Sequence, residues 1–201
     1  VRACVVADET TSSYRPADEC DEDADFISLA VVANRGDEMV HILDMDRRAP
    51  EVFDFDPGLP GNSGVSFDGN PISLAPTYLP TVVAVGTSNP SGLAFVDAVY
   101  GRALNTTERL TEVPTLMTAL PGTQSVLFAR RAQRELQAFE VALDCDGIPD
   151  VHQIGCRMNA EVTFGESYPL DAVPTAMTVL DDGRVLVMRE DRADLLVVGW
   201  F

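Results

Sequence analysis

Pairs of short apolar runs, each divided by a polar turn, recur four times along this chain. The segments begin with similar apolar runs and span Val31–Arg47, Val82–Asp97, Val126–Val141 and Val185–Val198. Their runs are rich in β-branched residues and are bounded by Gly, Pro, Asn or Asp, which is the pattern of β-strands. The one helix-like stretch, Arg130–Phe139, is better explained as two strands around a charged hairpin tip. The pattern therefore predicts four strand pairs.

A proline-led motif precedes three of these segments. It occurs as Asn70–Leu74, Val113–Leu120 and Val173–Leu180, and its prolines are separated by 43 and 60 residues. A repeat of about 40–50 residues that holds several short strands is typical of β-propeller blades, each a four-stranded sheet. The sequence therefore predicts an all-β protein, a β-propeller of four-stranded blades.

The repeats also predict how the chain is divided. We expect an N-terminal extension at 1–26, irregular apart from one strand at Cys4–Ala7, and then propeller repeats over 27–201. The blades are expected near 27–56, 70–112, 113–165 and 173–201, with an insertion at 143–157. The first blade lacks its first strand in this pattern, and the last blade stops after its third. About four blades or partial blades are thus expected, as part of a larger ring rather than a closed four-bladed one.

Several of these motifs resemble the YVTN-type β-propeller repeat. Val32–Asn34 followed by Val40–Asp44 is similar to its central strands, Asn70–Ala75 to its entry strand, and Asp181–Gly183 to its turn. The resemblance covers roughly residues 27–201 and implies a propeller fold. It leaves activity open, because that family includes binding, scaffold and lactonase-like proteins.

The net charge of the chain argues against some classes of binding partner. Thirty-two acidic residues oppose fourteen basic ones, all of them Arg, for a net charge of −18. Such a surface repels nucleic acid and anionic lipid, so we expect no nucleic-acid partner.

No apolar run has the length of a transmembrane helix, and we expect no transmembrane segment.

Four cysteines form two local pairs, Cys4 with Cys20 and Cys145 with Cys156. Nearby pairs predict two disulfides and an extracytoplasmic, oxidising compartment, whether periplasmic, cell-surface or secreted. Four free thiols are the alternative. A second alternative concerns Cys4 alone, because Val1–Cys4 resembles the end of a bacterial lipoprotein signal and would give a lipid anchor at Cys4.

The insertion contains an acidic loop. Asp144, Asp146 and Asp150 surround a glycine and resemble the calcium loops of thrombospondin type 3 repeats. Calcium prefers several carboxylate and carbonyl oxygens, so these three residues are candidate Ca²⁺ ligands. The template's first and last ligand positions fall on Ala142 and Gln153, which leaves a turn-rich surface loop as the alternative.

Other polar residues give weaker signals. Asp21, Asp23 and Asp25 form an acidic block that suits either a cation or a solvated linker. His41 is expected to be structural and His152 solvated. Under the lactonase-like reading, the residues near the propeller channel are Asn34, Asp37 and Asn70. They match no catalytic constellation, and we assign no catalytic residue.

These observations favour three functions in order. The first is an extracytoplasmic binding or scaffold module that contacts a protein, a glycan or a cation through its loops or rim. The second is a metal-dependent, lactonase-like hydrolase acting in the propeller channel. The third is a structural subunit of a cell-surface assembly, where disulfides and an acidic surface are equally suitable.

Overall fold

Every regular element of the described chain is a β-strand. The computed structural model describes residues 1–7, 12–16, 20–22, 25–36, 38–46, 51–52, 64–79, 81–143 and 160–200. The strands, in chain order, are β1 Arg2–Ala7, β2 Ser12–Pro16, β3 Phe26–Asn34, β4 Met39–Asp44, β5 Glu51–Val52, β6 Gly64–Ser66, β7 Asn70–Pro76, β8 Val82–Ser88, β9 Gly92–Asp97, β10 Arg102–Arg109, β11 Met117–Ala119, β12 Ser125–Arg130, β13 Glu135–Leu143, β14 Ala160–Pro169, β15 Pro174–Val179, β16 Arg184–Arg189 and β17 Leu196–Gly199.

The strands form four antiparallel sheets in chain order, which are the blades of a β-propeller. Blade 1 contains β1 to β6, blade 2 contains β7 to β10, blade 3 contains β11 to β14, and blade 4 contains β15 to β17. Blades 2 and 3 are meanders of four strands in sequence order. The predicted hairpin tip is confirmed, because β12 ends at Arg130 and β13 begins at Glu135. The all-β propeller expected from the repeats is therefore the observed fold.

The N-terminal segment is more regular than its sequence suggests. It supplies two strands, not one, and β1 pairs with both β2 and β3. Thus β1 takes the place of the first strand of blade 1, and the Leu29 N–H extends the pairing by donating to the Val1 carbonyl at 2.7 Å. The expectation of an irregular extension missed β2, because Ser12–Pro16 has few apolar residues and a proline.

Successive blades pack face to face. A cluster with Phe95 of blade 2 and Phe128 and Phe139 of blade 3 joins these blades through edge-to-face ring contacts. A second cluster joins blades 3 and 4 around Leu127 and Val187. Two further clusters join blades 1 and 2. Because both faces of blades 2 and 3 are covered, nearly every residue of β8 and β9 is buried.

The structural alignment of the repeats differs by one residue from the alignment that their sequences suggest. Counting from the first valine of each run equates Val82 with Val126 and Val185. In the structure Val83, Val126 and Val185 are equivalent, since each packs against the preceding blade. The sequence does not indicate this one-residue shift, because a strand buried on both faces is apolar throughout and has no alternation to fix its register.

The turns between second and third strands share an uncommon backbone conformation. One residue in each has a positive φ near 55°, and none of the four is glycine: Glu38, Asn89, Arg134 and Asp191. The first-to-second strand turns of blades 3 and 4 use Gly122 and Gly183 instead. A side chain in this left-handed conformation costs about 1 kcal/mol relative to glycine. These four residues therefore make the turns slightly less stable than glycine would at the same positions.

Gly86 allows the close approach of blades 2 and 3. A Cβ atom at this position would lie 2.7 Å from the Pro114 carbonyl oxygen and would collide with the Ser73 hydroxyl. That hydroxyl donates to the same Pro114 carbonyl, linking the first strand of blade 2 to the entry motif of blade 3. The entry proline of blade 3 is thus an inter-blade contact.

We predict that Gly86→Ala lowers the free energy of unfolding by about 1–3 kcal/mol, because the methyl group meets backbone that cannot yield easily. Gly165→Ala is the matched control in β14, where a Cβ would lie at an ordinary 3.5 Å from the Ala138 Cβ. Urea unfolding of both variants measures the difference. Equal stabilities of the two variants would show that the contact has no energetic weight.

A disulfide joins Cys4 of β1 to Cys20, as the local spacing predicts. Cys4 is buried and its bond spans a 16-residue separation that contains β2. A lipid thioether on Cys4 would use the same sulfur atom, so the lipid-anchor alternative is incompatible with this bond.

We predict that replacing both Cys4 and Cys20 by Ala lowers the free energy of unfolding by about 3 kcal/mol, because the unfolded chain regains loop entropy. Denaturant unfolding under oxidising conditions measures the loss. The difference from wild type should vanish when the wild-type disulfide is selectively reduced. A persistent gap after reduction would assign the effect to packing of Cys4 instead.

Candidate functional site

Two arginines at one end of blades 3 and 4 hold networks of ion pairs, and one of them, Arg189, is buried. In blade 4, Arg189 ends β16, and its side chain is only 5% exposed. Its Nη1 binds the Asp171 carboxylate, and its Nη2 binds Asp194 at 3.0 Å. Arg192 also reaches Asp171, at 3.3 Å. The guanidinium thus ties the entry of blade 4 to the turn between β16 and β17.

Blade 3 repeats this arrangement with different residues. Arg130 ends β12 and binds Glu135 of β13 at 2.7 Å, while its Nε lies 3.8 Å from the Glu112 carboxylate. Glu112 also accepts the backbone N–H of Ala132 at 2.7 Å. Each arginine is therefore held between one acid before the entry proline and one acid five residues after the arginine. This recurrence indicates a structural clamp of the blade end rather than a catalytic group.

A polar cleft of about 300 Å³ opens where the two blade ends meet. Arg134 contributes one wall, the 171–173 connection a second, and the turn at 190–192 a third. The Arg134 carbonyl accepts the Leu170 N–H at 2.6 Å, and the Val173 carbonyl accepts the Glu190 N–H at 2.8 Å, so backbone bonds fix the cleft. Its two guanidiniums and three carboxylates suit polar contacts with a ligand, and its lining holds no nucleophile paired with a base.

The candidate calcium ligands fall outside the described residues. This applies to the whole 144–159 segment, which includes Asp144, Asp146, Asp150, Cys145, Cys156 and His152. The segment connects β13 to β14, the third and fourth strands of blade 3. The calcium site and the second disulfide remain predictions. Within the described part of the chain, no group of three or more His, Cys, Asp or Glu residues is placed to hold a metal ion.

The other singled-out residues lie on different elements of blades 1 and 2 or outside the described residues. Asn34 ends β3, where its side chain accepts the Gly36 N–H at 3.0 Å, while Asn70 begins β7. Asp37 and Asp23 lie outside the described residues, and Asp21 and Asp25 are exposed. His41 is half-buried in β4, opposite Val32 and beside Gly64. A structural role for His41 remains a prediction.

An exposed apolar surface lies on the outward side of blade 4, and we call it the open face. Met188 is 54% exposed, Val197 50% and Leu195 55%. Alternation puts the neighbouring Val187 and Val198 on the opposite side, against blade 3. Sequence reasoning missed this surface because the apolar pattern of β16 is the same as that of strands buried on both faces.

A groove of about 210 Å³ lies between β14 of blade 3 and the end of β17 of blade 4. Its walls are Glu166, Ser167, Tyr168, Gly199 and Trp200. Tyr168 is 40% exposed and pairs with Leu136, which packs towards blade 4. Trp200 also packs on that cluster. The groove therefore combines two aromatic side chains with a carboxylate.

Comparisons with known proteins concern the fold. No protein-family model matches the chain, and no curated protein matches it. Among solved structures, hydrazine synthase from Kuenenia stuttgartiensis is similar with a TM-score of 0.59 and 13% identity, over 86% of this chain and 43% of that one. The dihydro-heme d1 dehydrogenase NirN gives 0.49 and 18%, over 85% and 41%. The WD40 domain of SCAP from fission yeast gives 0.42 and 12%, over 86% and 44%. The chain spans less than half the length of each.

Among the described residues, none forms a helix long and apolar enough to cross a membrane.

We predict that Asp171 contributes stability that is lost in acid. The Arg189 hydrogen bond, aided by the charges of Arg189 and Arg192, outweighs desolvation and holds the pKa of Asp171 below its usual 3.8. A carboxyl with a lowered folded pKa stabilises the protein above its unfolded pKa, and this is lost as pH falls through the folded value. The stability gap between wild type and Asp171→Asn should therefore shrink below pH of about 4.

Denaturant unfolding at neutral pH and at a series of pH values below 4 measures this gap. Asp25→Asn is the control, since it removes an exposed carboxylate outside the arginine clamp. A gap for Asp171→Asn that stays constant throughout the acid range would contradict the prediction.

Proposed function

We propose that this chain is a β-propeller interaction module of an extracytoplasmic compartment, and that it binds a protein partner through the open face of blade 4. The observation that carries the proposal is the exposure of Met188, Leu195 and Val197 together on one sheet face. Both faces of blades 2 and 3 are covered by neighbouring sheets. Contiguous exposed apolar residues bounded by charged ones are typical of protein-binding surfaces.

The chemistry of this face favours a protein over the other expected ligands. Aliphatic side chains gain free energy when an apolar surface covers them, whereas a glycan or a cation offers them little. The chain's net charge of −18 opposes a nucleic-acid partner. The resemblance to YVTN-type repeats is compatible with a binding or scaffold role. The Cys4–Cys20 disulfide supports an oxidising compartment.

We predict that a photo-crosslinking residue placed at Met188 captures a protein partner in the producing cells. Adding Val197→Asp should abolish the adduct, because a buried carboxylate without a partner is costly at an apolar contact. The control position is Met45, a methionine of blade 1 that is 45% exposed. Trapping of free thiols in the same cells should find Cys4 and Cys20 oxidised.

Equal adducts from Met188 and Met45, or none from Met188, would refute binding through the open face. Reduced Cys4 and Cys20 in cells would refute the extracytoplasmic assignment. An adduct made only of two copies of this chain would favour a subunit of a homomeric surface assembly instead.

A further inference from the structure

Blades 3 and 4 place different residues beside their arginines. Glu112 and Ala172 each lie two residues before an entry proline, and Arg130 and Arg189 each end the second strand of a blade. In blade 3 the Glu112 carboxylate lies 3.8 Å from the Arg130 Nε. In blade 4 the matching position carries only a methyl group, so this carboxylate is missing from the second clamp.

The preceding position supports the equivalence of the two clamps. The Arg130 Nη2 donates to the Thr111 hydroxyl at 3.4 Å. The Arg189 Nη1 donates in the same way to the Asp171 carboxylate. Residues 111 and 171 therefore both contact the Nη end of the guanidinium, and the residue that follows each of them is the equivalent one in the two blades.

Arg189 has an unsatisfied donor at this point. Both of its Nη atoms bind carboxylates, but its Nε is buried and has no hydrogen-bond partner among the described residues. A buried donor without an acceptor lowers the stability of a protein. The cleft of about 300 Å³ is lined by Ala172 and by Asp171, the partner of Arg189. The cleft and the unsatisfied donor thus indicate the same missing group, a carboxylate.

The charges of the cleft walls define the rest of the ligand. Glu190 and Asp191 contribute two exposed carboxylates. Their charges attract an ammonium group and oppose a ligand that carries only a carboxylate. Arg134 and Arg192 add two guanidiniums, so the walls present both signs of charge. The volume of the cleft is at the lower end of the range for small-molecule sites.

We propose that this cleft binds a small zwitterion with one carboxylate and one ammonium group, which is the chemistry of a free amino acid. The carboxylate takes the position beside Arg189 that the Glu112 carboxylate has beside Arg130. The ammonium group faces Glu190 and Asp191. The inference rests on blades 3 and 4 alone and does not depend on the protein partner proposed for the open face.

The test uses the full 201-residue chain and three probes, namely 4-aminobutanoate, acetate and butylammonium. We expect 4-aminobutanoate to give saturable shifts of the backbone amide NMR signals of Ala172 and Asp191. Acetate should bind about tenfold more weakly, because it lacks the ammonium group. Butylammonium should give no saturable shift, because it lacks the carboxylate.

Ala172→Glu should abolish the binding of 4-aminobutanoate, because the chain then supplies its own carboxylate to the clamp. Ala172→Gln is the matched control, since it adds a side chain of the same length without the charge. At neutral pH, Ala172→Glu should unfold at a higher urea concentration than Ala172→Gln, because only the carboxylate can form an ion pair with Arg189.

Glu112→Ala gives the reciprocal test in blade 3. It removes the carboxylate that lies beside the Arg130 Nε and accepts the Ala132 N–H. Sodium acetate should therefore raise the urea midpoint of this variant more than sodium chloride does at the same ionic strength. Glu161→Ala is the control, because it removes an exposed glutamate of β14 and should show no preference for acetate.

The absence of saturable shifts at Ala172 and Asp191 with 4-aminobutanoate would overturn the proposal. Equal binding of 4-aminobutanoate to the wild-type chain and to Ala172→Glu would also overturn it. Equal affinities for acetate and 4-aminobutanoate would refute a zwitterion as the ligand. If Ala172→Glu does not fold, the comparison of the three probes on the wild-type chain decides the outcome.

Discussion

The requirement that each sheet cover two apolar faces determines the arrangement of this molecule. Blades 2 and 3 satisfy it on both sides, and the aromatic contacts between Phe95, Phe128 and Phe139 show how closely their sheets meet. The glycine at position 86, the buried entry proline of blade 3 and the Ser73–Pro114 hydrogen bond all serve this approach. Blades 1 and 4 cover only one face with another described blade, and the exposed side chains of Val32 and Val197 mark the uncovered sides.

The sequence predicted strands well and their relations less well. Paired apolar runs and entry prolines were enough for the blade architecture, since the neighbours in blades 2, 3 and 4 are strands that follow one another in sequence. The equivalence of Val83 with Val126 was not predictable, because an all-apolar strand such as β8 looks the same in either register. The second strand of the N-terminal segment was missed for the opposite reason: its polar sequence carries no signal, and pairing with β1 alone defines it.

The sequence likewise indicated some candidate sites and not others. Acidic motifs predicted a site in the insertion, whereas the ion pairs of the described residues centre on Arg130 and Arg189. A sequence signal for these clamps exists, since each arginine ends a strand and has an acid shortly before the entry proline of its blade. The signal is hard to recognise, because one acid of each clamp is distant from its arginine in sequence. The acids are also Glu in blade 3 but Asp in blade 4. The open face escaped notice because exposure depends on a neighbouring sheet and not on the residues themselves.

The serial packing of the blades has a consequence for how this protein moves. Each interior blade is held by two neighbours, so opening it breaks two apolar interfaces. Among the described residues, blade 4 packs only on blade 3 and blade 1 only on blade 2. In arrays of this kind, stability is close to a sum of unit and neighbour terms, and local opening concentrates where neighbours are fewest. Blades 1 and 4 are therefore expected to open at a lower free-energy cost than blades 2 and 3. A partner that covers the open face adds a second apolar interface to blade 4, and its binding is coupled to the folding of the whole array.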